Sequence, residues 1–241
     1  MTNNDQHISI EKQTPRFIQN TDFIYPKSLR TQITLKRPMH LYHIGQLTNF
    51  ENCIAIVGTR NCSTHGSEMA RNIAIELTSN NFTIVSGLAK GIDSYAHRGA
   101  ITNNGKTIAV LGWLNEIYPS EHKILAEEIK KNGCILSEKL EKPKQYANYE
   151  FLKRNEIVVG LSDCIVVVES KYLGGTKYVA EYARKIKKPI IIIKPKGEHI
   201  DFNDGYEQFI KNGCISAKNS DDVLKIIRQE IRYKNQNLDS F

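Results

Sequence analysis

Three turns of small residues, each closing an apolar run, hold residue types that grip phosphate. Gly58-Thr59-Arg60 ends the run CIAIVG (53–58) and leads toward a helix. Gly58 permits the turn, Thr59 and the N–H groups after it can bond an anion at a helix N-terminus, and Arg60 adds a planar fork of donors. A plain strand–helix turn with an exposed arginine accounts for these residues equally well. The stretch from Ser86 and Gly87 to Gly91 and Asp93 ends the next run, and its glycines let backbone approach a ligand closely. His97 lies four residues beyond Asp93, on the same helical face. An Asp–His catalytic pair is one reading; the favoured one has Gly91, Asp93 and His97 ordering the loop through hydrogen bonds. No Ser or Cys occupies a nucleophile elbow, so no residue is assigned a catalytic role.

Gly174-Gly175-Thr176 offers another anion nest, with Thr176 as helix cap. In FLKRN (151–155), Arg154 and Asn155 can reach phosphate oxygens or base edges, and Phe151 presents a face on which a base can stack. Lys153 lies inside this stretch. Lys139, Lys142 and Lys144 precede it, with Tyr146 and Tyr149 interleaved. Basic residues among aromatics suit single-stranded nucleic acid. Glu138, Glu141 and Glu150 dilute the charge, and a solvated loop is the alternative. His7, His40, His43, His65, His122 and His199 show no metal-ligand spacing, so no metal is expected. GxGxxG is absent, which argues against a dinucleotide cofactor.

The elements that must position these turns alternate. Short apolar runs at 53–58, 82–87, 107–112, 134–138, 164–169, 189–193 and 214–217 predict strands. Helical patterns occupy 65–80, 91–104, 120–132, 151–161, 176–187, 205–212 and 220–233. Strands apolar throughout, each followed by a helix, predict an α/β fold: a Rossmann-like, doubly wound, mostly parallel sheet. Residues 1–50, with Pro15, Pro26 and Pro38, read as an N-terminal extended arm or cap outside this alternation. The Rossmann-like domain is expected over 51–233, and a flexible tail over 234–241.

Across 241 residues the formal net charge is +7, unevenly placed. Residues 1–50 carry +3, residues 51–183 are balanced at 15 basic and 15 acidic groups, and residues 184–241 carry +4. The surplus permits a polyanionic partner without demanding one. The five cysteines form no CxxC pair and fit a reducing cytosol. The polar start MTNNDQHISIEKQ lacks the apolar stretch of a signal peptide, and the apolar runs are too short to cross a membrane. A cytoplasmic protein without a membrane partner is the expectation.

Taken in order, the motifs resemble the DNA-processing protein family DprA, also called Smf. The matching residues are Tyr25-Pro26, Pro38 with Leu41-Tyr42 and Gly45, and IAIVGTR (54–60). There follow IVSGLAKGIDSYAH (84–97), TIAVLG (107–112), Tyr118-Pro119, ILSE (135–138), FLKRN (151–155), LSDCIVVVES (161–170), GYEQFIKNGC (205–214) and DDVLKII (221–227). The resemblance implies a Rossmann-like homodimer that binds single-stranded DNA, protects it during natural transformation and passes it to a RecA-type recombinase. It places Arg60, Arg154 and Asn155 in a basic DNA pocket with the Gly58 and Ser86-Gly87 turns, and Phe151 against a base. One turn departs from the family pattern of Ser-Gly followed by Thr-Ala: here it reads KYLGGTKYVAEYA (171–183), so only Gly174 or Gly175 and Thr176 match. The extra helical and winged-helix modules of many members have no counterpart, and a nearly bare core is expected.

Two other functions compete. Nucleotide phosphoribohydrolases of the lysine-decarboxylase-like type carry PGGxGTxxE; here Val179 stands where the acid should follow Thr176, and Glu181 lies two residues too far. A nucleotide-sensing domain of related fold is the third possibility, told apart by its response to a small nucleotide.

Overall fold

A computed structural model describes residues 14–31, 38–47, 50–145, 147–171, 174–197 and 200–238; the side chains of Ala147, Ile200 and residues 232–238 are outside the description. Tyr146, Leu173, His7 and His199 also lie outside it. One nine-stranded sheet organises the chain: β1 (Arg16–Gln19), β2 (His40–Gly45), β3 (Cys53–Val57), β4 (Thr83–Ser86), β5 (Thr107–Val110), β6 (Cys134–Ser137), β7 (Cys164–Val167), β8 (Ile190–Ile193) and β9 (Ile215–Ala217). Their spatial order is β1-β2-β6-β5-β4-β3-β7-β8-β9. All pairs from β6 to β9 across the sheet are parallel. Strands β3 to β8 are buried on both faces, as their unbroken apolar runs require.

The helices divide by which alternate strand residues they cover. Helices α1 (Lys27–Arg30), α5 (Ala147–Leu161), α6 (Thr176–Lys185) and α7 (Ile200–Lys211) pack with Val85, Ile108, Val110, Ile165 and Val167 on one face. Helices α2 (Thr64–Ser79), α3 (Ile92–Thr102) and α8 (Ser220–Leu238) cover Ile54, Ile56, Ile84 and Val166 on the other, where α4 (Lys123–Asn132) covers Ala109 and Ile135. The chain runs β3 to β6 toward one edge, then α5 carries it back so that β7 lies beside β3. The carboxyl ends of β3 and β7 therefore flank the topological switch point, where open α/β sheets bind ligands.

The N-terminal segment stays outside the strand–helix alternation but not outside the sheet. β2 pairs antiparallel with β6, and β1 pairs antiparallel with β2. Leu41 and Ile18 are fully buried, and Tyr25 donates its hydroxyl to Pro38 O at 2.6 Å. The prolines flank these strands rather than interrupt them. Three boundaries also differ from expectation: α5 starts four residues earlier, α7 starts at Ile200, and α8 runs into the segment read as a frayed tail, to Leu238.

His97, on α3, is buried and touches no carboxylate of the loop. Its Nδ1 lies 2.7 Å from Thr107 Oγ1, and the Thr107 hydroxyl donates to Ile84 O at 3.0 Å. That hydroxyl has one proton, so His97 Nδ1–H is the donor and Nε2 is bare. Burial, helped by the charges of His122 and Arg154, pushes the His97 pKa from 6.5 down to about 3. The unfolded chain binds the extra proton first, so stability is complete above pH ~6.5 and falls as pH drops toward ~3. A His97→Asn chain, which keeps a donor for Thr107, should show a shallower fall in Tm between pH 7 and pH 4 than the wild type. Parallel curves would contradict this.

Candidate nucleic-acid interface

A cavity of about 560 Å³ opens at the switch point. This is ample for a nucleotide-sized group. Its walls come from Gly58–Arg60 after β3, from Gly87, Ala89 and Asp93 after β4, from one face of α5, and from Ser170, Lys171 and Gly174–Thr176 after β7. A recess of about 60 Å³ adjoins it, sharing Arg60, Gly87, Phe151 and Arg154 and adding Lys90, Tyr118 and Pro119.

Arg154 forms the floor. It is only 7% exposed, and its Nη1 donates to Val110 O at 3.1 Å. Gly87 makes room for it: a Cβ on that residue would stand 1.3 Å from Nη1. Asp93 Oδ2 lies 4.0 Å from the same Nη1 and accepts the amides of Gly87 (3.1 Å) and Ala89 (3.4 Å). One carboxylate thus both ties down the loop after β4 and answers the buried guanidinium. Burial raises the Asp93 pKa, and Arg154 with the two amides opposes that rise. For Arg154, burial lowers the pKa, Asp93 opposes the change, and the charge of Arg60 adds to it. Arg60 is exposed, so the cavity carries one sunken and one solvent-facing guanidinium close enough to repel. Arg154 Nε has no hydrogen-bond partner among the described residues. An anion entering between the two guanidinium groups would offset their repulsion.

Gly91 closes the loop against the turn after β3. Its φ is +72°, and a Cβ there would fall 2.3 Å from Thr59 O and 2.5 Å from Arg60 O. Ile92 N donates to Thr59 O at 3.2 Å.

Several expectations need correction. The Thr59 N–H is spent on Glu169 O at 2.7 Å, and α2 begins only at Thr64 with Ser63 as its cap, so no helix end stands at Gly58–Arg60. Ser86 is fully buried, donates to Ile56 O at 2.6 Å, and does not line the cavity. Gly175, not Thr176, caps α6, without a side-chain bond, and the Lys177 and Tyr178 amides are already spent on Gly174 O (3.1 Å) and Gly175 O (3.2 Å), so the start of α6 lines the cavity without presenting those donors to it. Lys144 is exposed on the loop before α5, and Lys153 sits 5.0 Å over the Tyr149 ring; neither lines the cavity. Gly58, Thr59, Arg60, Gly87, Phe151, Arg154, Asn155, Gly174, Gly175 and Thr176 do converge there, with Asp93 in the wall.

Residues the sequence did not mark for the site complete it. Phe151 meets Trp113 (centroids 5.2 Å) and Tyr118 (5.7 Å), and Tyr118 is 51% exposed. Trp113 is buried beneath, with Lys142 Nζ 5.6 Å over its ring. The Tyr118-Pro119 pair is visible in the motif order, but nothing local marks Trp113 as its neighbour. Lys171 lines the cavity and pairs with Asp201.

This arrangement coincides with a known family. The chain matches DNA recombination-mediator protein A over residues 16–228. It belongs to that family. Among curated relatives, protein Smf of a Synechocystis species is 36% identical over 210 residues, covering 85% of this chain and 52% of the relative. DNA processing protein DprA of Streptococcus pneumoniae is 34% identical over 223 residues, covering 91% of this chain and 77% of the relative. The chain thus spans about half the length of the first and three quarters of the second. The crystal structure of the Streptococcus pneumoniae protein superposes with a TM-score of 0.78 at 32% identity, over 89% of this chain and 74% of that one. A Helicobacter pylori DNA processing protein A, whose structure was described for its single-stranded DNA binding mode, gives 0.77 at 26% identity, over 92% and 97%. A molybdenum cofactor carrier protein of Chlamydomonas reinhardtii, at 17% identity and 0.52 over 76% and 99% of the two chains, shares the fold alone. Among the described residues no helix is long and apolar enough to cross a membrane, and no cluster of ligating side chains could hold a metal.

Within this DprA/Smf site the Asp93–Arg154 pair is the buried electrostatic contact. Asp93→Asn keeps the shape and an acceptor for the loop amides but leaves the guanidinium unanswered. It should cost about 3 kcal/mol of unfolding free energy in denaturant melts; a change under about 0.5 kcal/mol would show that the pair is not coupled.

Proposed function

We propose that this chain binds single-stranded DNA without sequence preference and without breaking bonds, protects it, and helps to load a RecA-type recombinase. The observation that carries this reading is the meeting of Arg60 and Arg154 with the half-buried Phe151 ring in one cavity. Two cations neutralise phosphates, while Phe151, backed by Trp113 and Tyr118, gives a base a flat apolar face. Family membership and the single-stranded DNA binding named for the Helicobacter pylori protein support the same ligand. The recombinase is supported by the family's description as a recombination mediator. A homodimer, and action in the cytoplasm during DNA uptake, rest on family kinship.

Binding is favoured over catalysis because the acid in the cavity wall, Asp93, is committed to two amides and to Arg154. The phosphoribohydrolase reading has less support. Val179 reaches the cavity where an acid is needed, whereas Glu181 is exposed and pairs with Lys177 along α6 at 3.7 Å.

Arg60→Ala and Arg154→Ala should each weaken binding of a labelled oligo-dT by about tenfold or more, a charge-assisted contact being worth roughly 1.5–3 kcal/mol. With two phosphates neutralised, log K against log salt should slope at about −1.4 for a single strand. Duplex of the same length should bind more weakly, because its bases cannot stack on Phe151. Unchanged affinity in both variants, or equal affinity for duplex, would overturn the assignment.

A further inference from the structure

In a doubly wound sheet, the phosphate of a mononucleotide or dinucleotide sits at the N-terminus of the first crossover helix. Here that helix is α2, and its N-terminus already holds an anion from the chain itself. Glu169, just after β7, is 4% exposed. Its Oε2 accepts Ser63 N at 2.9 Å, and its Oε1 accepts the Ser63 hydroxyl at 2.5 Å. That hydroxyl in turn accepts Gly66 N at 3.0 Å, so cap, first-turn amide and carboxylate form one chain of bonds. The helix is shaped around the carboxylate: a Cβ on Gly66 would meet Glu169 Oε2 at 2.2 Å and Oε1 at 2.7 Å. The main chain of the same residue takes the Thr59 N–H. Two donors that the β3–α2 turn would offer a nucleotide phosphate, the Thr59 and Ser63 amides, are thus spent on Glu169. Burial and then the Glu169 charge push the Cys62 thiol up beside it.

We infer that Glu169 is a specificity-determining residue: its carboxylate fills the phosphate position of the Rossmann-like fold and excludes small nucleotides there. Phosphate recognition is thereby left to the cavity lip that carries Arg60 and Arg154. A strand threading over that lip needs no terminal phosphate, whereas a free nucleotide is held chiefly by its phosphates. Ser63 and Glu169 are not cavity walls, so the carboxylate position at α2 neighbours the cavity, through Thr59 and Ser170, without being part of it. The inference concerns α2 and stands apart from the oligonucleotide reading.

The probe is inorganic pyrophosphate, titrated into chains that carry Arg60→Ala to weaken anion binding in the cavity, each compared with the Arg60→Ala parent that keeps Arg154. Adding Glu169→Ala should create a saturable rise in Tm, with an apparent Kd at least about tenfold below that of the Arg60→Ala parent. Adding Glu169→Gln, which fills the same volume, should create none. Oligo-dT affinity of Glu169→Ala alone should stay within about twofold of wild type, a difference of only about 0.4 kcal/mol. It is read separately, so failure of the plug and failure of the DNA reading are distinguishable. Should Glu169→Ala not fold, amide chemical shifts of the wild type decide: pyrophosphate should leave Ser63 and Gly66 unmoved. A folded Glu169→Ala chain with no gain, or wild-type Ser63 and Gly66 amides that shift, would overturn the inference.

Discussion

Taking a guanidinium out of water is costly unless its charge and its donors are answered. Arg154 is buried at the meeting of three strand ends, and much of the surrounding geometry follows from that fact. Val110 O and the Asp93 carboxylate answer it from below and from the side. Gly87 is a glycine because the guanidinium occupies the place of its side chain. Asp93 can stand there because the same carboxylate orders the amides of Gly87 and Ala89. The loop after β4 then lies against the turn after β3 through Gly91, which sets Arg60 at the cavity mouth.

The result is a site that supplies more positive charge than it consumes, in a stretch of chain that is neutral overall. Composition could not reveal this, because Arg60 and Arg154 lie ninety-four positions apart in sequence. The fold also sorts its helix ends. α2 is closed by the Glu169 carboxylate and Ser63, while the start of α6 is closed by its own backbone at Gly174 and Gly175 and lines the cavity with the cations. Two turns that look alike as sequence, each holding a glycine and a threonine, therefore meet different partners: a buried carboxylate beside one and only backbone carbonyls at the other.

Much of the architecture was legible because parallel strands buried on both faces must be apolar throughout, and β3 to β8 are. The convergence of FLKRN with the strand-end turns was legible through the ordered motifs of the family. What escaped depends on contacts between distant segments. β1 and β2 carry mixed side chains because they lie at an antiparallel edge, so their pairing left no periodic signal. Ser86 looked like a ligand contact because it sits in a glycine loop, yet its hydroxyl turns inward to Ile56 O. Trp113 became part of the site only through the packing of Phe151 and Tyr118. Nothing in the apolar run before Glu169 announces that its carboxylate reaches back 106 positions to Ser63.

The central claim is that DNA binding depends on one guanidinium seated in a notch that only glycine can leave open. A double-mutant cycle of Gly87→Ala and Arg154→Ala, read by oligo-dT affinity in folded protein, tests it most directly. The account predicts that the Gly87 methyl, which adds no charge, weakens binding about as much as loss of the arginine, and that the double variant is no weaker than either single one. Wild-type affinity in Gly87→Ala, or losses that simply add, would contradict it.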